Sequence, residues 1–142
     1  KWTVALLMTA AFSASALAAG KTHLVAVHVN QNDKAVMNMA LNNVQNIANY
    51  YKKKGEKVVL EVVTYGPGLH MLRADTSPVK DRISAMGLAM PNLRFSACGN
   101  THRKMSQKTG KKVKLVSEAA LVPSGVVRLI ALQEKGYAYI RP

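Results

Sequence analysis

The sequence predicts an α/β domain, a three-layer α/β/α sandwich around a mostly parallel sheet of about five strands. Two observations carry the prediction. Short apolar, β-branched runs alternate with helical patterns along the chain, as strands joined by crossover helices do. These runs also lack polar alternation, which is expected when a sheet is covered on both faces. A chain of 142 residues suits one domain with its own core.

Leu24 to Val29 reads as the first buried strand. Asn32-Asp33 can cap a helix in which Met37, Leu41, Val44, Ile47, Ala48 and Tyr51 recur at three- and four-residue spacing, and Gly55 closes it. Val58 to Thr64 is the second strand, stopped by the turn Tyr65-Gly66-Pro67-Gly68, with a short helical turn through Leu69 to Leu72. Ser77-Pro78 starts a helix that ends near Gly87. Leu93 to Ala97 is the third strand, and Thr101 to Lys108 a short helix ended by Gly110. Val113 to Val116 is expected as the fourth strand. Pro123-Ser124 then begins a helix with Val126, Val127, Leu129 and Ile130 inward, and Tyr137 to Ile140 is the last strand.

The start of the chain, residues 1–18, has the three parts of a secretory signal: a basic start, an apolar middle and Ala16-Leu17-Ala18 before the exit. Residues 19–142 then form the domain, placed in the periplasm or outside the cell. The apolar start is too short and too rich in Ala, Ser and Thr for a membrane anchor, and no other apolar stretch reaches about 20 residues, so no stable membrane span is expected. The net charge is +13, which raises nucleic acid as a partner. The lysines, however, gather where helices end: Lys52, Lys53, Lys54 and Lys57 around Gly55, and Lys108, Lys111, Lys112 and Lys114 around Gly110. Cations there complement the helix dipole. Helix capping and export both argue against nucleic acid.

Open α/β sheets bind ligands beyond the carboxyl ends of their strands. That rule collects Asn30 after the first strand, and Gly66, Pro67, Gly68 and His70 after the second. It adds Cys98, Gly99, Asn100, Thr101 and His102 after the third, and Pro123, Ser124 and Gly125 before the last helix. Cys98 is the only cysteine. It stands at a strand-to-helix corner, where a helix N-terminus lowers a thiol's pKa and favours the reactive thiolate. A free cysteine is commonly a small buried hydrophobe, yet an idle thiol in an oxidising compartment is a liability. His70 or His102 could tune the thiolate, or with Cys98 hold copper or zinc. The spacing lacks a second cysteine, so no metal and no cofactor is expected. The turn Gly66-Pro67-Gly68 lacks the spacing of a phosphate loop, and the seven acidic residues offer no acid/base pair. Glu61, unusual inside a strand, suggests a sheet edge or a subunit contact. The polar helix face of Asn38, Asn42, Asn46 and Asn49 suggests solvent or a protein interface. His28, in mid-strand, is expected to be a satisfied core or interface histidine.

Several dispersed segments, in order, resemble the DsrE/DsrF-like (YchN-like) family over nearly all of residues 19–142. They are His28-Val29-Asn30, Tyr65-Gly66-Pro67-Gly68-Leu69, Phe95-Ser96-Ala97-Cys98-Gly99-Asn100-Thr101, Val122-Pro123-Ser124-Gly125-Val126, and the ending Gly136 to Pro142. The resemblance implies an α/β/α domain assembling as trimers or hexamers. It also implies sulfur chemistry, in which a corner cysteine, here Cys98, receives sulfur as a persulfide and passes it to a partner. The better-understood relays of that family are cytoplasmic, and this chain departs from them in its export-like start. The leading expectation is therefore an exported carrier of sulfane sulfur on Cys98, with a sulfur donor or acceptor protein as partner. A carrier and an enzyme use the same thiol, so turnover is left open. The alternatives are a non-enzymatic oligomeric binding module with a structural cysteine, and a copper- or zinc-binding protein.

Overall fold

A computed structural model of the chain describes residues 20–142; the leader expected at 1–18 lies outside them. Ten elements alternate as the sequence suggests. The strands are β1 (Thr22–Val29), β2 (Lys57–Thr64), β3 (Leu93–Cys98), β4 (Ala119–Val122) and β5 (Ala138–Ile140). The helices are α1 (Lys34–Lys53), α2 (Lys80–Ala89), α3 (Gly99–Thr109) and α4 (Gly125–Glu134), with a 3-10 stretch at Gly66–Leu72. The sheet has the order β4-β3-β2-β1-β5, and every pair is parallel. No helix of the described residues is long and apolar enough to cross a membrane.

That order decides where the helices go. The chain steps from β1 to β4 in one direction and then returns past β1 to place β5. Right-handed crossovers therefore put α1, α2 and α3 on one face and α4 on the other. The first face is the main core. Val25, Val27 and Val29 of β1, Leu60 and Val62 of β2, and Phe95 of β3 pack under Met37, Leu41 and Val44 of α1 and Ile83 and Met86 of α2. Burying each such side chain contributes about 1.5–3 kcal/mol. The second face is smaller: Leu129 and Leu132 of α4 lie on Ala26 and Val63, flanked by Tyr65 and Tyr137.

Local chemistry sets the boundaries. Asp33 caps α1 by accepting from the Ala35 and Val36 N–H groups at 2.7 and 3.0 Å. Gly55, at φ 69°, takes the left-handed position after its end. The helix expected from Ser77-Pro78 begins later, at Lys80, and runs to Ala89. The Ser77 hydroxyl instead donates to the Met71 carbonyl and accepts from the Val79 N–H.

Three expectations are corrected. Val113 to Val116 is not a strand; the fourth strand is Ala119–Val122. The Val116 N–H bonds the Leu72 carbonyl, and the Lys114 carbonyl accepts from the Ala74 N–H, both at 2.9 Å. That backbone is committed to the segment after the 3-10 stretch, and Ala119 to Val122 pairs with β3 instead. In α4, Val126, Val127 and Ile130 face outward, each about half exposed, and Leu129 and Leu132 face the sheet. Glu61 is not at an edge: β2 is the central strand. The polar face of α1 is also more than solvated, since Arg82 of α2 donates to the side chains of Asn38 and Asn42.

Candidate functional site

β3 ends at Cys98, and α3 begins at the next residue, two residues earlier than the sequence suggested. β4 ends at Val122, and α4 begins at Gly125 with Ser124 as its N-cap. The connection after β3 turns to one face of the sheet and the connection after β4 to the other. Adjacent strands whose connections part in this way open a crevice at their carboxyl ends, the usual ligand position in open α/β sheets. Cys98 stands in that crevice, between the N-termini of α3 and α4.

Cys98 is the N-cap residue of α3 and 5% exposed. Burial pushes its thiol up in pKa. Opposing it are the Thr101 hydroxyl and the N–H groups of Gly125, Thr101 and Asn100 turned toward the sulfur, and they prevail, so the thiol titrates below its ordinary value. The Cys98 side chain makes no cap hydrogen bond. The N–H groups act as the positive ends of two helix dipoles. The Gly66 N–H donates to the Thr101 hydroxyl oxygen at 2.9 Å, which leaves the hydroxyl proton free to point at the sulfur. The turn after β2 therefore sets a donor at the end of β3.

Two glycines make the crevice tight. A Cβ on Gly125 would lie 3.0 Å from the Tyr65 Cβ and 3.1 Å from the Cys98 Cβ. A Cβ on Gly68 would collide with the Val29 carbonyl and the Asn30 backbone. The 3-10 stretch is thus seated on the end of β1, with Asn30 half-buried beneath it. Pro67 and Pro123 are exposed on the two turns. Gly99 opens α3, and the Asn100 side chain accepts from Arg103 at 2.9 Å, so only its backbone serves the sulfur.

The two histidines offered as partners do not join the thiol. His102 is buried, and its Nε2 bonds the Val113 carbonyl at 2.8 Å, anchoring the loop after α3. His70 is half-buried on the 3-10 stretch, its pKa lowered by burial and by Arg73. Among the described residues no three His, Cys, Asp or Glu side chains gather as metal ligands.

The α4 face of the sheet carries more polar groups than the sequence revealed. Glu61 is 1% exposed. It accepts from the Ser96 hydroxyl at 2.6 Å and from Arg128 Nε and Nη2 at 2.6 and 2.7 Å. Burial pushes its carboxyl up, but the Arg128 and Ser96 bonds and the charges of Arg128 and Arg94 outweigh it and hold it below the ordinary carboxylate value. His28, 3% exposed, bonds Tyr139 through Nδ1 at 2.8 Å, and its ring lies 4.5 Å from that of Tyr65. Its Nε2 is buried without a partner, so it is only half satisfied.

The same arrangement of strands and helices occurs in the solved structure of a protein of unknown function, MTH1491, from Methanobacterium thermoautotrophicum. The two are 32% identical and superpose with a TM-score of 0.70, covering 84% of this chain and 99% of that one. The chain belongs to the MTH1491 family. No protein-family model matches the chain, and no curated protein matches it.

Within this MTH1491-family fold, Cys98, Thr101 and Gly125 lie together as their places after β3 and before α4 suggest, and the partners behind them leave little mark in the sequence. In the sequence Tyr65 reads only as part of a turn. Arg128 carried no signal beyond lying one turn into α4. Glu61, a charge in the middle of an apolar strand, was the one visible sign of the buried cluster.

Proposed function

We propose that this protein handles sulfur, carrying or transferring sulfane sulfur as a persulfide on Cys98. The observation that supports the reading best is the meeting of two helix N-termini and the Thr101 hydroxyl at one thiol. The resemblance to DsrE/DsrF-like proteins supports it further, and a periplasmic or secreted location, read from the leader-like start, is part of the proposal. The thiolate attacks a sulfane sulfur of a polysulfide. One S–S bond forms, the neighbouring S–S bond breaks, and the shortened polysulfide leaves with the electron pair. The N–H groups and the hydroxyl that favour the thiolate also stabilise the persulfide anion. An acceptor thiolate then takes the outer sulfur, and Cys98 departs as the thiolate.

Self-association is part of the proposal. Val126, Val127 and Ile130 of α4, next to Gly125, face outward, and copies covering them around a three-fold axis would close a trimer, or two such rings a hexamer, measurable by light scattering.

A second reading, an oligomeric binding module in which Cys98 is packing, is favoured by one observation, its 5% exposure. Intact-protein mass spectrometry after incubation with polysulfide separates the two. Sulfur adducts that reductant removes and that Cys98→Ser lacks are expected. A native protein that gains no sulfur and resists alkylation would instead make the cysteine structural.

A further inference from the structure

We infer that the buried cluster of Glu61, Arg128 and Ser96 is a positioning device for Cys98: it clamps the first turn of α4 to β2 and β3 and so holds the Gly125 N–H at the sulfur. The inference rests on Cys98 being the working nucleophile.

Geometry carries it. Arg128 meets Glu61 through two N–H groups at 2.6 and 2.7 Å, a fork whose planar geometry fixes direction as well as distance. The Arg128 backbone N–H bonds the Ser124 carbonyl at 2.9 Å, closing the turn that contains Gly125. Residues three apart on a helix share a face, so Gly125 and Arg128 both look at the sheet. Ser96 and Cys98 are two apart on β3 and share the opposing face. Ser96 donates to the same carboxylate oxygen, Oε1, that takes Arg128 Nε. One carboxylate thus joins the helix turn that faces the sulfur to the strand that carries it.

The cluster's cost argues in the same direction. A buried ion pair is seldom better for stability than apolar side chains of equal size, and the cover that α4 lays over this face, Leu129 and Leu132, is apolar. Its fixed geometry is what apolar packing cannot supply. Tolerance at the site is small, because a Cβ on Gly125 would already press on Tyr65 and Cys98.

The test is the pH dependence of Cys98 alkylation in the native protein, in Glu61→Gln and in Arg128→Lys. The sign is diagnostic. Removing the Glu61 charge, by Coulomb's law alone, favours the thiolate and speeds alkylation on the acid limb. Loosening the clamp withdraws the Gly125 N–H and slows it, by about tenfold, the size of one lost hydrogen bond to a charged group. Arg128→Lys keeps the charge and loses the fork, so slowing is expected there too. It also carries the test if Glu61→Gln does not fold, with circular dichroism as the check on folding. Slower alkylation in the folded variants supports the clamp. Unchanged or faster alkylation, with the native midpoint still depressed, overturns the clamp alone. A native midpoint in the ordinary thiol range overturns the nucleophile reading and the clamp with it.

Discussion

The two faces of the sheet are built on different principles. Under α1, α2 and α3 the strands present mostly Val, Leu and Phe, and side chains such as Phe95, Leu41 and Met37 are almost wholly buried. Under α4 the same strands present His28, Glu61, Ser96 and Cys98, all buried, with Leu129 and Leu132 as the main apolar cover. Alternation along each strand sends neighbours to opposite faces, so one set of strands serves both. The first face supplies folding free energy. The second spends part of it on groups that are costly to bury unless bonded.

The contrast can be broken from either side. The largest effect is expected on the apolar face: Phe95→Ala should cost about 3–5 kcal/mol in denaturant unfolding and leave the pH profile of Cys98 alkylation unmoved. Next comes Gly125→Ala, where the new methyl meets Tyr65 and Cys98 at 3.0–3.2 Å. It should cost about 1–3 kcal/mol and also raise the thiol midpoint as α4 moves away. Thr101→Val keeps the shape and loses the hydroxyl that takes the Gly66 N–H. About 1 kcal/mol of stability should go, with slower alkylation on the acid limb. If Phe95→Ala moved the thiol profile, or Thr101→Val did not, the separation of the apolar core from the crevice at Cys98 would fail.

The smallest effect concerns pH. Burial, then the Arg141 charge, lowers the His28 pKa from 6.5. The unfolded chain therefore takes up that proton first. Stability is fully present above about pH 6.5 and declines as pH falls below it toward the folded pKa. His28→Phe should flatten this decline in thermal melts taken across the interval. The Glu61 contribution follows lower: its pKa is depressed from 4.5, so its stabilisation is present above that value and fades as pH falls through the folded pKa.

Much of the fold was legible because parallel strands and amphipathic helices write themselves into local pattern. Asp33, Gly55 and Gly110 marked the ends they control. Val113 to Val116 reads as a strand because it is a short apolar, β-branched run, although its backbone is used by residues 72–74, which no local pattern records. The inward face of α4 was misread because Val126, Val127 and Ile130 are as apolar as Leu129 and Leu132. Cys98 was legible from its corner. The crevice around it was not, because it depends on strand order: only when β4 lies beside β3 does the start of α4 reach the sulfur. The Glu61–Arg128 pair spans 67 positions and leaves no mark at either residue beyond a charge out of place.

The central claim is that the crevice between the starts of α3 and α4 holds Cys98 as a thiolate. The most direct measurement is a pH titration of thiolate ultraviolet absorbance on the native protein, with Cys98→Ser as the blank. The expected midpoint is below the reference thiol value of about 8.5. A midpoint at or above that value would mean that burial outweighs the two helix N-termini, and Cys98 would then be a packing residue.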